Sequence, residues 1–191
     1  MSACPELTTD VTDEEAYAIL EPYFVTAQEV FVEGLRRLGL PTAKVEKVRL
    51  DIDSAMHDTP RHFAGCETSG RVIHVAAEMV ELTDGIVAGV FLHELGHATD
   101  FLLPARFRLR DDRLEILPAY KNESDDPQGP EVLALRTASN WMRQWERRNA
   151  DDVEITADKI AEMVSGRTIG YRGPCLLQHL GQGDPRPRGL R

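Results

Sequence analysis

The stretch "GVFLHELGHATDFLLP", residues 89–104, decides the fold, because it sets three polar side chains in an apolar run that ends at a proline. His93 and His97 are four residues apart, so on a helix their side chains lie one turn apart on the same face. Glu94 follows the first histidine directly. Polar groups in apolar surroundings cost free energy unless they are compensated. The stretch therefore predicts either a metal site or a hydrogen-bonded triplet of buried side chains.

We expect the helix that carries these residues to run through the centre of the protein, since apolar residues lie on nearly all of its faces. Thr83 or Asp84 can cap its beginning, and Pro104 closes it. The segment "RVIHVA" (71–76) before it predicts an edge strand, and "VEKVRLDID" (45–53) alternates like a second strand. A long helix beside short strands indicates an α+β fold.

A further helix is predicted near the beginning of the chain. Thr12 and Glu15 have the spacing of a capping box, so a helix can begin there. Residues 22–40 have apolar positions at helical spacing, and Gly39 with Pro41 ends that pattern.

The rest of the chain divides into a second set of predicted elements and two terminal segments. Residues 1–12 are interpreted as a flexible leader, 13–170 as one α+β domain and 171–191, rich in Gly, Pro and Arg, as an extended arm. The segments predicted within the later part of the domain are a hairpin (106–117), a loop (120–130) and two helices (130–149 and 151–166).

Composition narrows the classes of function. A 191-residue chain with 28% charged residues and a formal net charge of −10 is typical of a globular protein and disfavours a nucleic-acid or anionic-membrane binder. With no spanning segment and no secretory signal, we expect a cytoplasmic protein, and association with a virus particle stays open. The three cysteines are dispersed and predict no disulfide framework; Cys66 is expected to be a free buried thiol.

Two imidazoles at this spacing can bind one zinc ion, with Glu94 beside them as general base for a water molecule. A catalytic zinc site takes three protein ligands and keeps one position open. Asp100, Glu154 and His179 are the candidates for the third ligand. Glu154 is favoured because it begins a new helix, and the chain after His97 is long enough to bring that helix back antiparallel. An ordinary first-turn acid, favoured by the helix dipole, is the alternative role for Glu154.

Asp158 follows Glu154 at the i+4 position, on the same helix face. It can accept a hydrogen bond from the far nitrogen of a ligating histidine and so fix its tautomer; a solvated acid is the alternative. His74, in the predicted edge strand, can face a cleft or be half-exposed. His57 and His62 lie in a polar loop and are expected to be uninvolved.

The pair "HELGH" and "EITAD" resembles the gluzincin branch of the zincin metallopeptidases, whose signature is HExxH with a downstream ExxxD or ExxA[DE]. The resemblance covers roughly residues 70–101 and 151–166. It implies a zincin-like fold, in which a small sheet packs on a long active-site helix with a second ligand-bearing helix. "HELGHATD" is also locally similar to small phage-associated and lethal-factor-type metallopeptidases.

The resemblance implies Zn²⁺ as cofactor and hydrolysis of a peptide or protein substrate. Matched residue by residue, it makes His93, His97 and Glu154 the zinc ligands and Glu94 the general base. Asp158 would be the carboxylate that accepts a hydrogen bond from a ligating histidine. Such enzymes often supply a Tyr or His that stabilises the oxyanion, and no residue matches that motif here; Tyr120 and Tyr171 are the candidates.

Two other functions stay open at this point. The first is a catalytically weak or inactive zinc-binding protein with a structural or regulatory role in a larger assembly, such as a viral one. In that role the basic arm at 171–191 would bind a protein partner. The second is a zinc amidase that acts on cell-wall peptides.

Overall fold

The computed structural model describes residues 10–53, 63–103, 106–110, 113–117, 150–167 and 169. Within these residues the chain has an α+β architecture, with three α-helices and two small sheets. The helices are α1 (Asp13–Arg37), α2 (Asp84–Leu102) and α3 (Ala150–Ser165), and the strands are β1 (Arg49–Ile52), β2 (Ala64–Cys66), β3 (Val72–Val75), β4 (Phe107–Arg110) and β5 (Arg113–Ile116).

Helix α1 begins at the predicted capping box. The Glu15 backbone N–H donates to the Thr12 hydroxyl at 3.3 Å, and the Thr12 backbone N–H donates to the Glu15 carboxylate at 3.0 Å. The two helical patterns of the sequence form one helix that continues through Pro22 and is followed by Gly39 at φ +68°. Both predictions in this region are therefore confirmed, as parts of a single element.

The first sheet has the strand order β1-β3-β2, with β1 parallel and β2 antiparallel to β3. The prediction of a strand within 71–76 is confirmed, but the prediction that it lies at the edge is wrong. Strand β3 pairs with β1 on one side and with β2 on the other, and its residues Ile73 and Val75 are completely buried. The edge beside α2 is β2, whose three residues Ala64–Cys66 are too few to show an alternating pattern.

The strand predicted at 45–53 is shorter than expected. Val45–Lys47 forms a 3-10 helix, and only Arg49–Ile52 pairs with β3. The 3-10 turn buries both Val45 and Val48. Their spacing therefore resembles the alternation of a strand, although neither residue lies in one. The hairpin predicted at 106–117 is confirmed, since β4 and β5 pair antiparallel.

Helix α2 lies at the centre of the fold, as its composition predicts. All of its residues from Phe91 to Asp100 are buried, and it packs against both α1 and α3. At its beginning, the Tyr23 hydroxyl of α1 donates to the Asp84 carboxylate at 2.9 Å. Helix α3 matches the prediction for 151–166, with Gly166 at φ +68° after its last turn.

Several predictions lie outside the described residues. They concern most of the leader, Pro104, the loop at 120–130, the helix at 130–149, the arm at 171–191, and the side chains of His57, His62, Tyr120, Tyr171 and His179. Among the helices that are described, none combines the length and the apolar character needed to cross a membrane.

Candidate metal centre

Two buried histidines of α2 form the base of the site. The side chains of His93 and His97 lie one turn apart, and their Nε2 atoms are 3.1 Å from each other. The two residues are 4% and 8% exposed, so neither imidazole is a surface group. Two ring nitrogens therefore face the same small volume at the surface of α2.

Helix α3 brings a carboxylate to these nitrogens. The oxygens of Glu154 lie 3.0 Å from His93 Nε2 and 3.5 Å from His97 Nε2. Ligand atoms of the three residues all lie within 4.8 Å of one another, and no other group of His, Cys, Asp or Glu does so in the part of the chain that the structure describes. The Glu154 side chain is 56% exposed, so the site opens to solvent on the side of α3.

Asp158 lies behind His93, one turn after Glu154 on α3. Its Oδ1 atom is 2.8 Å from His93 Nδ1, and its side chain is 17% exposed. When Nδ1–H donates to this carboxylate, the opposite nitrogen Nε2 is directed at Glu154 and His97. The geometry brings together the five residues that the sequence singled out, His93, Glu94, His97, Glu154 and Asp158.

The carboxylates around His93 favour a positive charge at this point. Burial lowers the pKa of His93, but the hydrogen bonds to Asp158 and Glu154 and the charge of Glu94 outweigh it and raise that pKa to about 10. Hydrogen bonds from His93 and His97 hold the pKa of Glu154 far below its usual range. Burial raises the pKa of Asp158, against the opposing effect of its bond to His93. A divalent cation bound by the same groups would compete with a proton on His93.

Glu94 is buried on α2, directly after His93, and α2 packs against the edge strand β2. It is 6% exposed. Burial raises the pKa of the Cys66 thiol on β2, and the charges of Glu94 and Glu67 raise it further. Cys66 is a free thiol, as predicted, and is half-buried. Cys66 is not among the described residues whose ligand atoms converge.

The remaining candidates lie apart from this group. Asp100 is buried on α2 but is not among the residues whose ligand atoms converge. His74 lies on the sheet face opposite to Ile73 and Val75, where its ring nitrogens are 3.0 Å from Asp51 and 3.1 Å from Glu67. It therefore takes the half-exposed role rather than facing the site.

The sequence did not predict the edge strand β2, which packs against the site helix α2. A signal was present, because Ser69 and Gly70 mark a turn before β3, and a hairpin turn needs a strand on both sides. Gly70 adopts φ +68°, and its N–H donates to the Glu67 carbonyl at 2.7 Å. The sequence also did not indicate that α2 and α3 meet at Gly96.

Comparison of the chain with protein-family models, with curated proteins and with solved structures gave no match. The functional argument therefore depends on the chemistry and the geometry of these residues.

Proposed function

We propose that the protein is a zinc-dependent metallopeptidase with a zincin-like fold and a gluzincin-like ligand set. The observation that carries the proposal is the position of Glu154, which a separate helix places against the Nε2 atoms of both histidines. Two imidazoles and one carboxylate are the donor set of many catalytic zinc sites. The residues present therefore fit a zinc ion.

In this proposal His93, His97 and Glu154 hold the ion, and Asp158 keeps the His93 ring in place. A zinc ion bound there would polarise a scissile carbonyl and lower the pKa of a water molecule. The exposed side of Glu154 favours access for a substrate, whereas a purely structural zinc site has four protein ligands and no open position.

Glu94 acts as the general base. Its carboxylate accepts a proton from the attacking water and passes it to the nitrogen of the leaving amine. Burial beside the histidine pair keeps this carboxylate close to the reacting atoms and away from bulk solvent. Glu94 follows a ligand directly in sequence, so the helix itself fixes it at that position.

Strand β2 would bind an extended peptide. It pairs with β3 on one side, and in the described residues no strand pairs with its other side. An extended peptide can add to such an edge through backbone hydrogen bonds. Strand β2 packs against α2, the helix that carries Glu94, so a peptide along β2 would pass the helix of the proposed base. This role belongs to β2 and not to β3, which lies inside the sheet.

The direct test is Glu94→Gln, assayed with unfolded protein and with a mixture of fluorogenic peptides. General acid–base catalysis contributes about 10²–10⁴-fold, so we expect cleavage to fall by that factor while zinc content stays at the wild-type level. Glu33→Gln, which changes an exposed Glu of α1, is the matched control and should cleave normally. Cleavage by zinc-loaded Glu94→Gln at the wild-type rate would refute the assignment of the base.

Metal content tests the ligand set separately. Elemental analysis of purified wild-type protein should find about one zinc ion per chain, and Glu154→Ala should lose most of it. Full zinc retention in that variant would remove Glu154 as a ligand. Peptidoglycan fragments, assayed beside unfolded protein, distinguish the proposed peptidase from a zinc amidase.

A further inference from the structure

Helices α2 and α3 meet at backbone contact at Gly96. A methyl group built on Gly96 would overlap the carbonyl oxygen of Ala157 and lie 2.9 Å from its carbonyl carbon. The atoms that it meets are backbone atoms, so no change of rotamer relieves the overlap. Any side chain at position 96 would have to push α3 away from α2.

The contact lies at the turn of α3 that carries the acidic side chains of the site. Ala157 directly precedes Asp158 and lies one turn after Glu154. Those two carboxylates are 2.8 and 3.0 Å from the nitrogens of His93. N–H···O hydrogen bonds span about 2.7–3.2 Å, so a displacement of a few tenths of an ångström at Ala157 would affect both.

We propose that Gly96 is a positioning residue: the absence of a side chain there sets the spacing of α2 and α3 at which Glu154 and Asp158 reach the two imidazoles. The inference rests on the metal-binding part of the proposed function. It assigns to the glycine of "HELGH" a role in metal affinity that is separate from its role in packing.

Two other glycines provide matched controls. A methyl group on Gly34 of α1 would overlap the backbone of Val164, at the opposite end of α3. Val164 is about 10 Å along the helix from Ala157, so that overlap disturbs α3 at a point distant from the site. A methyl group on Gly89 of α2 meets nothing within 4 Å. Gly34→Ala therefore perturbs α3 elsewhere, and Gly89→Ala changes only helix propensity.

The experiment measures zinc affinity of the folded full-length protein by competition with a chromophoric chelator, for wild type, Gly96→Ala, Gly34→Ala and Gly89→Ala. We expect Gly96→Ala to bind zinc about 10–100-fold more weakly, the loss typical when a partner of a ligand is displaced. Its Co²⁺ absorption spectrum should differ from that of the wild type, because the ligand geometry has changed. The two controls should bind zinc as the wild type does, although Gly34→Ala should melt at a lower temperature.

Two results would overturn the inference. One is a Gly96→Ala protein that melts at a lower temperature but keeps wild-type zinc affinity and Co²⁺ spectrum, since the glycine would then serve packing alone. The other is an equal loss of affinity in Gly34→Ala, which would show that any disturbance of α3 has this effect.

A second variant decides the matter if Gly96→Ala does not fold. Glu154→Asp shortens a half-exposed side chain in the second turn of α3 and leaves the helix contact intact. If the backbones already touch at Gly96, α3 cannot move closer to compensate, and Glu154→Asp should bind zinc as weakly as Glu154→Ala. Wild-type affinity in Glu154→Asp would contradict a fixed spacing.

A metal-free measurement separates this inference from the proposed function. In the metal-free wild type the His93 Nδ1 proton, bonded to Asp158, should give a protected NMR signal, which Gly96→Ala should lose and Gly34→Ala should keep. Loss of the signal in both variants, or in neither, would overturn the inference. A zinc-loaded wild type that cleaves no peptide would refute the peptidase and leave the role of Gly96 standing.

Discussion

His93 and His74 have the same hydrogen-bonding pattern in two different regions of the molecule. In each, both ring nitrogens face a carboxylate, at 2.8 and 3.0 Å for His93 and at 3.0 and 3.1 Å for His74. The partners are Asp158 and Glu154 for His93, and Asp51 and Glu67 for His74.

Their surroundings differ. The side chain of His93 is 5% exposed between two helices, and a second imidazole, that of His97, lies 3.1 Å away. The side chain of His74 is 25% exposed on a sheet face, and the side chains of its partners Asp51 and Glu67 are 57% and 44% exposed. Two carboxylates around an imidazole are therefore not enough to make a cation site. A cation site also needs a second nitrogen directed at the same carboxylate, and ring nitrogens that are buried, where solvent screens charges less.

Removal of the second imidazole, that of His97, should have the largest effect on zinc binding. A bound structural zinc ion contributes on the order of 10–16 kcal/mol, shared by its ligands, so His97→Ala should weaken zinc binding by about 10³-fold or more and abolish cleavage. His74→Ala, the matched change on the sheet, should leave both unchanged. Chelator competition and the peptide assay measure the two effects, and equal losses in the two variants would refute the comparison.

The pH dependence of the metal-free protein should follow His93. Its pKa is about 10 in the folded protein, against about 6.5 in the unfolded chain, so the folded state binds the extra proton between these values. The stabilisation is therefore fully present below pH 6.5 and is lost as the pH rises towards 10, on the order of 3–5 kcal/mol in the free energy of unfolding.

Urea unfolding with a chelator present, at a series of pH values between 6 and 10, measures this loss. His93→Gln should remove the slope below about pH 8.5, the pKa of a thiol in the unfolded chain, because the variant has no group that titrates at this position. Above that pH the raised pKa of Cys66 also contributes in both proteins. His74→Gln should keep the slope. A wild-type free energy of unfolding that is constant or rises over this interval would contradict the assignment of the buried charge to His93.

The sequence predicts which side chains of the site share a helix face. His93 and His97 share a helix face because helical geometry puts residues i and i+4 together, and the same rule places Asp158 beside Glu154. That the two helix faces meet was expected only from the length of the chain between them and from a resemblance. The structure shows the reason for their approach, which is a backbone contact between Gly96 and Ala157 that no periodicity reveals.

The sheet was harder to predict. Strand β2 has three residues, and the pattern at Val45 and Val48 arises from a 3-10 turn and not from a strand. Which strand lies at the edge depends on pairing between distant segments, and the residues of β3 do not reveal it. Ile73 and Val75 have the alternation expected of a half-buried strand whether one neighbour pairs with it or two.

The smallest expected effects are those of Asp158→Asn and Asp51→Asn, which compare a carboxylate beside His93 with one beside His74. Each removes one negative charge beside a histidine and keeps the shape of the side chain. An asparagine oxygen at position 158 can still accept the His93 Nδ1–H, but the loss of charge makes the imidazole a weaker base, so zinc affinity should fall by about 10–100-fold.

At position 51 the side chain is 57% exposed, and the change should alter the free energy of unfolding by less than about 1 kcal/mol and zinc affinity not at all. Chelator competition and urea unfolding of the two variants measure these quantities. If Asp158→Asn bound zinc like the wild type, the carboxylate behind His93 would only hold the ring in place, and the two histidines would differ by the second imidazole alone.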